Sequence, residues 1–162
     1  MEVCGTEYYH EDTGLDIARL NAARYAIVAA FRDGMFQKIW IPTYLCQSVA
    51  DTLRTEKIKY EEYSINESFL PVLPSVAENE CILITHYYGM QGDSFYSMCG
   101  EKYKNIIFDN TQAFFARPVL ESGIYNVYSP RKFVGVSDGA LFRDGDRSNL
   151  HNSRNWTEAY KK

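Results

Sequence analysis

The 162-residue sequence lacks the signals that mark several large classes of protein. It has no long run of Lys and Arg and a formal net charge of -4, so neither nucleic acid nor an anionic membrane is expected as main partner, since both are held by clustered positive charge. A small polar or anionic ligand stays open, because local geometry decides that. There is no CxxC pair: Cys4, Cys46, Cys81 and Cys99 are widely spaced, as free or buried thiols of a reducing compartment are, so a cytoplasmic protein is expected. The longest apolar run, Tyr25 to Phe31, is far too short for a bilayer, and the residues from Met1 to Glu7 show no secretory pattern. His10, His86 and His151 are dispersed, with no Cys or acid at ligand spacing, so no metal site is expected. Internal repeats, low-complexity linkers and Pro/Gly hinges are missing too. Residues 1–145 are therefore expected to form one domain, and residues 146–162, polar with few core-forming side chains, a carboxyl-terminal tail.

What is present is 46% hydrophobic residues, enough to bury a core, in short apolar runs separated by more polar stretches. Residues 38–42, 58–63, 81–86, 105–109, 124–128 and 140–142 read as strands. Several are apolar without alternation, which predicts a sheet covered on both faces. Helical patterns lie at 21–33, closed by Gly34, at 45–55 and at 94–102. The fold class expected is α/β, three layers of α/β/α with a mostly parallel central sheet. In such sheets ligands bind at the carboxyl ends of the strands, so the residues just after each strand matter most.

After the strand ending at Phe108 stands Asp109-Asn-Thr-Gln112. The acid either caps a turn or pairs with a cationic ligand atom. After the strand ending at Tyr128 comes Ser129-Pro-Arg-Lys132, followed by Gly135 and Gly139. Lys132 is either a surface residue or, if shielded by apolar neighbours, a nucleophile toward aldehydes. Ser129 can offer a hydroxyl to a phosphate, and the two glycines can let backbone pass close to a ligand. Asn21-Ala-Ala-Arg24 either starts a helix, presenting N–H groups that suit a phosphate, or continues one begun at Thr13. His86 either lines the crevice or is a hydrogen-bonded core histidine. Tyr87 and Tyr88 are candidates to cover a cofactor or a dimer surface. Ser129-Pro-Arg-Lys132 is formally an SxxK motif, but the SDN and KTG elements of acyl-serine enzymes have no plausible counterpart. A plain flavodoxin-like binding domain would place an Asp and a Lys at strand ends as well.

Taken in order, Asn21-Ala-Ala-Arg24, Ile41-Pro-Thr-Tyr44, His86-Tyr-Tyr-Gly89, Phe108-Asp-Asn-Thr-Gln112 and Ser129-Pro-Arg-Lys132 resemble the motifs of fold-type-I enzymes dependent on pyridoxal 5′-phosphate (PLP), and among them the DegT/DnrJ/StrS sugar aminotransferases. The resemblance covers about residues 18 to 143. It implies the PLP-binding large domain of that fold, incomplete here, with Lys132 forming the Schiff base, Asp109 pairing with the pyridine nitrogen and Gln112 beside the ring or its 3′-oxygen. The backbone at Ala22 and Ala23, with Ser129, is implied to hold the phosphate. An amino donor, a keto acceptor such as a sugar nucleotide, and a homodimer are also implied. Three departures stand out. Ala22-Ala23 replace the family's Gly and Thr or Ser. Cys46 occupies the place of its ring-stacking aromatic, leaving Tyr44 as a substitute. One of its paired glycines after the lysine is replaced in Asp138-Gly139-Ala140. The chain is also far shorter than members of the family, so a non-catalytic remnant or ligand-binding domain of the same fold is the alternative reading.

Overall fold

The computed structural model describes residues 18–72 and 75–145. The expected tail, Thr13, Cys4, His10 and His151 lie outside the described residues.

The central strands β2 (Lys38–Pro42), β5 (Glu80–Thr85), β6 (Ile106–Asp109) and β7 (Ile124–Tyr128) send alternate side chains to opposite faces. Ile39, Ile41, Cys81, Leu83, Ile107 and Val127 pack with the buried residues of helices α1 (Ala23–Asp33) and α2 (Gln47–Thr55). Trp40, Ile82, Ile84, Ile106, Phe108 and Ile124 pack on the other face with Phe95, Tyr96 and Cys99 of helix α3 (Asp93–Lys102). Both faces are dry, which is why these runs are apolar without alternation.

The eight strands run in the order β1-β8-β7-β6-β5-β2-β3-β4, where β1 is Ala18–Leu20, β3 Tyr60–Ile65, β4 Pro71–Val72 and β8 Ala140–Asp144. The five from β7 to β3 are parallel. The three outer pairings, β7 with β8, β8 with β1 and β3 with β4, are antiparallel. β1 and β4, three and two residues long, were not expected from the sequence, being too short for a periodic signal and held in place by pairing with their neighbours.

Helix ends explain two further differences. Ile58, expected in a strand, instead closes α2. Its N–H donates to the Leu53 carbonyl at 2.9 Å, and the Lys57 N–H to that of Arg54 at 3.0 Å, with Lys57 at φ 56°. This is a Schellman closure, and β3 begins two residues later than expected. The same pair of bonds ends α1, from Phe36 to Phe31 and from Met35 to Arg32, with Met35 at φ 52°. Gly34 is thus needed for room rather than for its backbone freedom, since a Cβ there would lie 2.1 Å from the Phe36 ring. At the other end α1 begins at Ala23 with Ala22 as N-cap, one residue later than an Asn21 cap would give. The Asn21 carbonyl accepts from the Gly139 N–H at 3.0 Å, which ties it to the start of β8.

Candidate functional site

The chain leaves β2 through α2 toward β3 on one side and leaves β5 through α3 toward β6 on the other. Connections diverging from adjacent parallel strands open a crevice at their carboxyl ends. There a cavity of about 350 Å³ is walled by the ends of β2, β5, β6 and β7 and by the starts of α1 and α2. The seven residues that the resemblance assigns to the cofactor, Ala22, Ala23, Tyr44, Asp109, Gln112, Ser129 and Lys132, line this one cavity.

Asp109 is the last residue of β6 and is 4% exposed. Its Oδ1 accepts from the Thr111 N–H at 3.0 Å. Burial pushes its pKa up, and the hydrogen bonds from Thr111 and the Lys132 charge do not undo that rise. Lys132 ends the single 3-10 turn Pro130–Lys132 that follows β7, and its Nζ donates to Thr111 Oγ1 at 3.1 Å. Thr111 therefore touches both ionisable groups, the acid through its N–H and the amine through its hydroxyl. Lys132 itself is an exposed residue, so within the chain it lacks the apolar shielding that would make it a nucleophile of unusual reactivity.

Ser129, 2% exposed, stands at the N-cap of that turn, yet its hydroxyl makes no capping bond. Gln112 Oε1 accepts from the Tyr88 N–H at 3.1 Å, leaving its amide nitrogen for the cavity. Tyr44 belongs to an aromatic wall at the mouth: its ring centroid lies 5.6 Å from that of Tyr87, and Phe69 lies 5.0 Å from Tyr87. Tyr44 and Tyr88 share a hydrogen bond of 2.9 Å between their hydroxyls, and the Tyr87 hydroxyl donates to the Tyr44 carbonyl at 2.6 Å. Burial lifts the Tyr87 pKa to about 12, so it is a neutral donor at physiological pH. Phe69 and Tyr88 hold this wall in left-handed backbone, φ 60° and 56°, which bulky residues seldom adopt.

One expectation is corrected and one pair of alternatives is resolved. Gly135 and Gly139 do not line the cavity, and a Cβ at Gly135 would meet nothing within 4 Å, so neither provides close backbone approach. Gly139 is required by its φ of 122° instead. His86 is the hydrogen-bonded core histidine: it is 3% exposed, its Nδ1 bonds the Tyr96 hydroxyl, and Thr85 and Tyr87 line the cavity in its stead. Sequence reasoning passed over Thr111, Thr85, Arg24 and Arg131, which also line the cavity. Thr111 was within reach, because it sits two residues beyond an acid at a strand end. Cys46, at the cavity edge, has its pKa lowered by hydrogen bonding with Ser48, with a smaller pull from Lys132.

No protein-family model matches the sequence, and no curated protein matches it either. Solved structures do match. DesV of S. venezuelae, in complex with a ketimine intermediate, aligns with a TM-score of 0.66 at 16% identity, over 93% of this chain and 45% of that one. Histidinol-phosphate aminotransferase from Clostridium acetobutylicum gives 0.65 at 14% identity, over 98% of this chain and 52% of that one. NtdA from Bacillus subtilis, with bound cofactor PMP, gives 0.60 at 12% identity, over 86% and 35%. This chain thus spans about half or less of each of these structures. At such identities the likeness is one of architecture: the three-layer α/β/α fold of PLP-transferase type, in incomplete form, is the fold of this chain.

Proposed function

We propose that the cavity binds PLP and that the chain is the cofactor-binding part of an aminotransferase, moving an amino group from an amino donor to a keto group, with a sugar nucleotide as the acceptor. The observation that carries this reading is the bridge at Thr111, which holds an amine and a buried carboxylate at neighbouring strand ends inside one cavity. The residues fit the cofactor. The cavity volume falls in the range of roughly 300–1,000 Å³ usual for small-ligand sites, and its walls offer an amine, a buried acid and oxyanion donors.

When bound, PLP supplies an aldehyde that condenses with an amine and a protonated pyridine ring that draws electrons from the attached carbon. Asp109 holds the proton at the ring nitrogen. Burial alone favours its neutral form, so a cationic ligand atom is what restores its charge. Lys132 Nζ would hold the cofactor and, as a free amine, would carry a proton between the substrate carbon and the cofactor carbon. Ser129 and the free N–H groups at the start of α1 bind the phosphate. The Gln112 amide nitrogen would serve the ring or its 3′-oxygen, and Tyr44 would take the part of the ring-flanking aromatic.

A homodimer supplies the cover that Lys132 lacks. Phe115 and Phe133, 75% and 41% exposed, meet edge to face over the buried Phe114 and leave an uncovered aromatic pair beside the lysine, of the kind that marks an interface. Sedimentation should find a dimer that Phe115→Glu dissociates. Among the described residues the cysteines are free thiols and no helix is long and apolar enough to cross a membrane, and we assign the protein to the cytoplasm.

The direct test is spectroscopic. Protein mixed with PLP should develop a visible absorption band, borohydride should fix the cofactor to one peptide, and that peptide should contain Lys132. Labelling at another lysine overturns the site. A band that no amino donor, glutamate included, can shift would leave binding without transfer.

A further inference from the structure

The first turn of α1 has no acidic residue and no side-chain cap, and its Ala22 and Ala23 bring no hydroxyl to the cavity. It does bring a cation. Arg24 is half-buried, lines the cavity, and has its guanidinium fixed 4.8 Å from the centroid of the Tyr25 ring. Arg32, farther along the same helix, rests on Glu56, whereas Arg24 has no carboxylate partner among the described residues. A half-buried guanidinium in that state is poorly compensated unless an anion joins it. Ser129 makes the second, independent observation. It is 2% exposed, faces the same cavity from the end of β7, and its hydroxyl has no hydrogen-bond partner among the described residues. A helix amino terminus, a stacked guanidinium and a buried free hydroxyl thus surround one corner of the cavity. All three are donors suited to an oxyanion.

We propose that Arg24 clamps the phosphate of the cofactor, supplying in charge what the missing hydroxyl at Ala23 would have supplied by hydrogen bonding. The assignment rests on the PLP reading above. A guanidinium meets two phosphate oxygens with two parallel N–H groups, so it fixes orientation as well as affinity. Arg131, the other cavity arginine, is an exposed residue next to Lys132 and is better placed for a group that enters and leaves.

The test compares PLP with pyridoxal, which has the same aldehyde and ring and no phosphate, by titrating the visible band in wild-type protein, Arg24→Ala and Arg24→Lys. Wild type prefers PLP strongly. Arg24→Ala weakens PLP by roughly 10- to 100-fold, the worth of a charge-assisted contact, and leaves pyridoxal within about twofold, as a contact confined to the phosphate requires. Arg24→Lys, which keeps the charge but not the fork, falls between, and tests the proposal even where the alanine variant folds poorly. Inorganic phosphate added with pyridoxal strengthens its band in wild type and not in Arg24→Ala. Equal losses for PLP and pyridoxal would make Arg24 a structural residue and overturn the proposal. An unchanged preference for PLP, with weaker saturation by an acidic amino donor, would assign Arg24 to a substrate carboxylate and overturn it as well. Wild-type protein that gives no band with either aldehyde would instead refute the cofactor reading itself.

Discussion

The two ends of the sheet are built from similar groups and resolve them in opposite ways. At the amino ends of the strands, Lys38 bridges Glu80 at 2.9 Å and Glu61 at 3.1 Å, Trp40 Nε1 donates to Glu80 at 2.7 Å, and Lys104 meets Glu78 at 2.9 Å. Burial pushes the Glu80 pKa up, but the bonds from Trp40 and Lys38 outweigh it and hold the carboxyl below its ordinary range. At the carboxyl ends Asp109 experiences the same opposition with the reverse outcome, burial prevailing over Thr111 and Lys132. Charge at the base is neutralised within the chain. At the crevice it is left uncompensated, and that surplus, rather than the presence of ionisable residues, distinguishes the site from the rest of the surface.

The sharpest way to break this comparison is at Lys132. Lys132→Ala should abolish the visible band and the borohydride label while leaving the fold intact, as judged by circular dichroism, because the residue is exposed and its side chain makes a single hydrogen bond among the described residues. Next comes Asp109→Asn, expected to slow the half-reaction with an amino donor by roughly 10²- to 10³-fold, the size of a lost electrostatic contact in a dry site.

The same variant should raise the stability of the ligand-free chain at neutral pH. Asp109 has a raised folded pKa, so its contribution is intact below the ordinary Asp value of 3.8 and is lost as pH climbs through the folded value. Melting temperatures of the two proteins should therefore converge in acid and separate with Asp109→Asn on top as pH rises. Glu80→Gln should do the opposite. A lowered pKa stabilises above the unfolded value and ceases to do so as pH falls through the folded one, so this variant should be the weaker protein at neutral pH, by no more than about 1 kcal/mol, with the deficit closing in acid. The smallest effect is expected at Lys104→Ala. Both partners of that pair are more than four-fifths exposed, and denaturant titration should register no change. If Asp109→Asn and Glu80→Gln shifted stability in the same direction, the contrast between the two ends would fail.

Much of this layout can be read from the chain. The apolar runs give the parallel strands because burial on two faces removes alternation, and the order of strand-end motifs anticipated which side chains share the crevice. Other features are not local. β8 runs antiparallel because it returns beside β7, a choice made by the sheet edge and not by Ala140–Asp144 itself. Thr111 becomes the link between Asp109 and Lys132 only because β6 and β7 are neighbours. Arg24 has the sequence setting of any helix arginine, and only the fold puts it in the cavity wall without a carboxylate partner among the described residues. Ile58 had the composition of a strand residue, and the helix ending before it claimed its N–H.

The pairing of β1 with β8 also sets an order of events. Leu20 meets Ala140, and Asn21 receives its bond from Gly139, contacts that join residues more than a hundred positions apart. Such long-range closure is slow and entropically costly, and a ribosome must make nearly the whole described chain before it can occur. The start of α1, with Ala22, Ala23 and Arg24, is thus the last wall to be set in position. Capacity for an anionic ligand should appear in the final kinetic phase of refolding, after the parallel strands have already found one another.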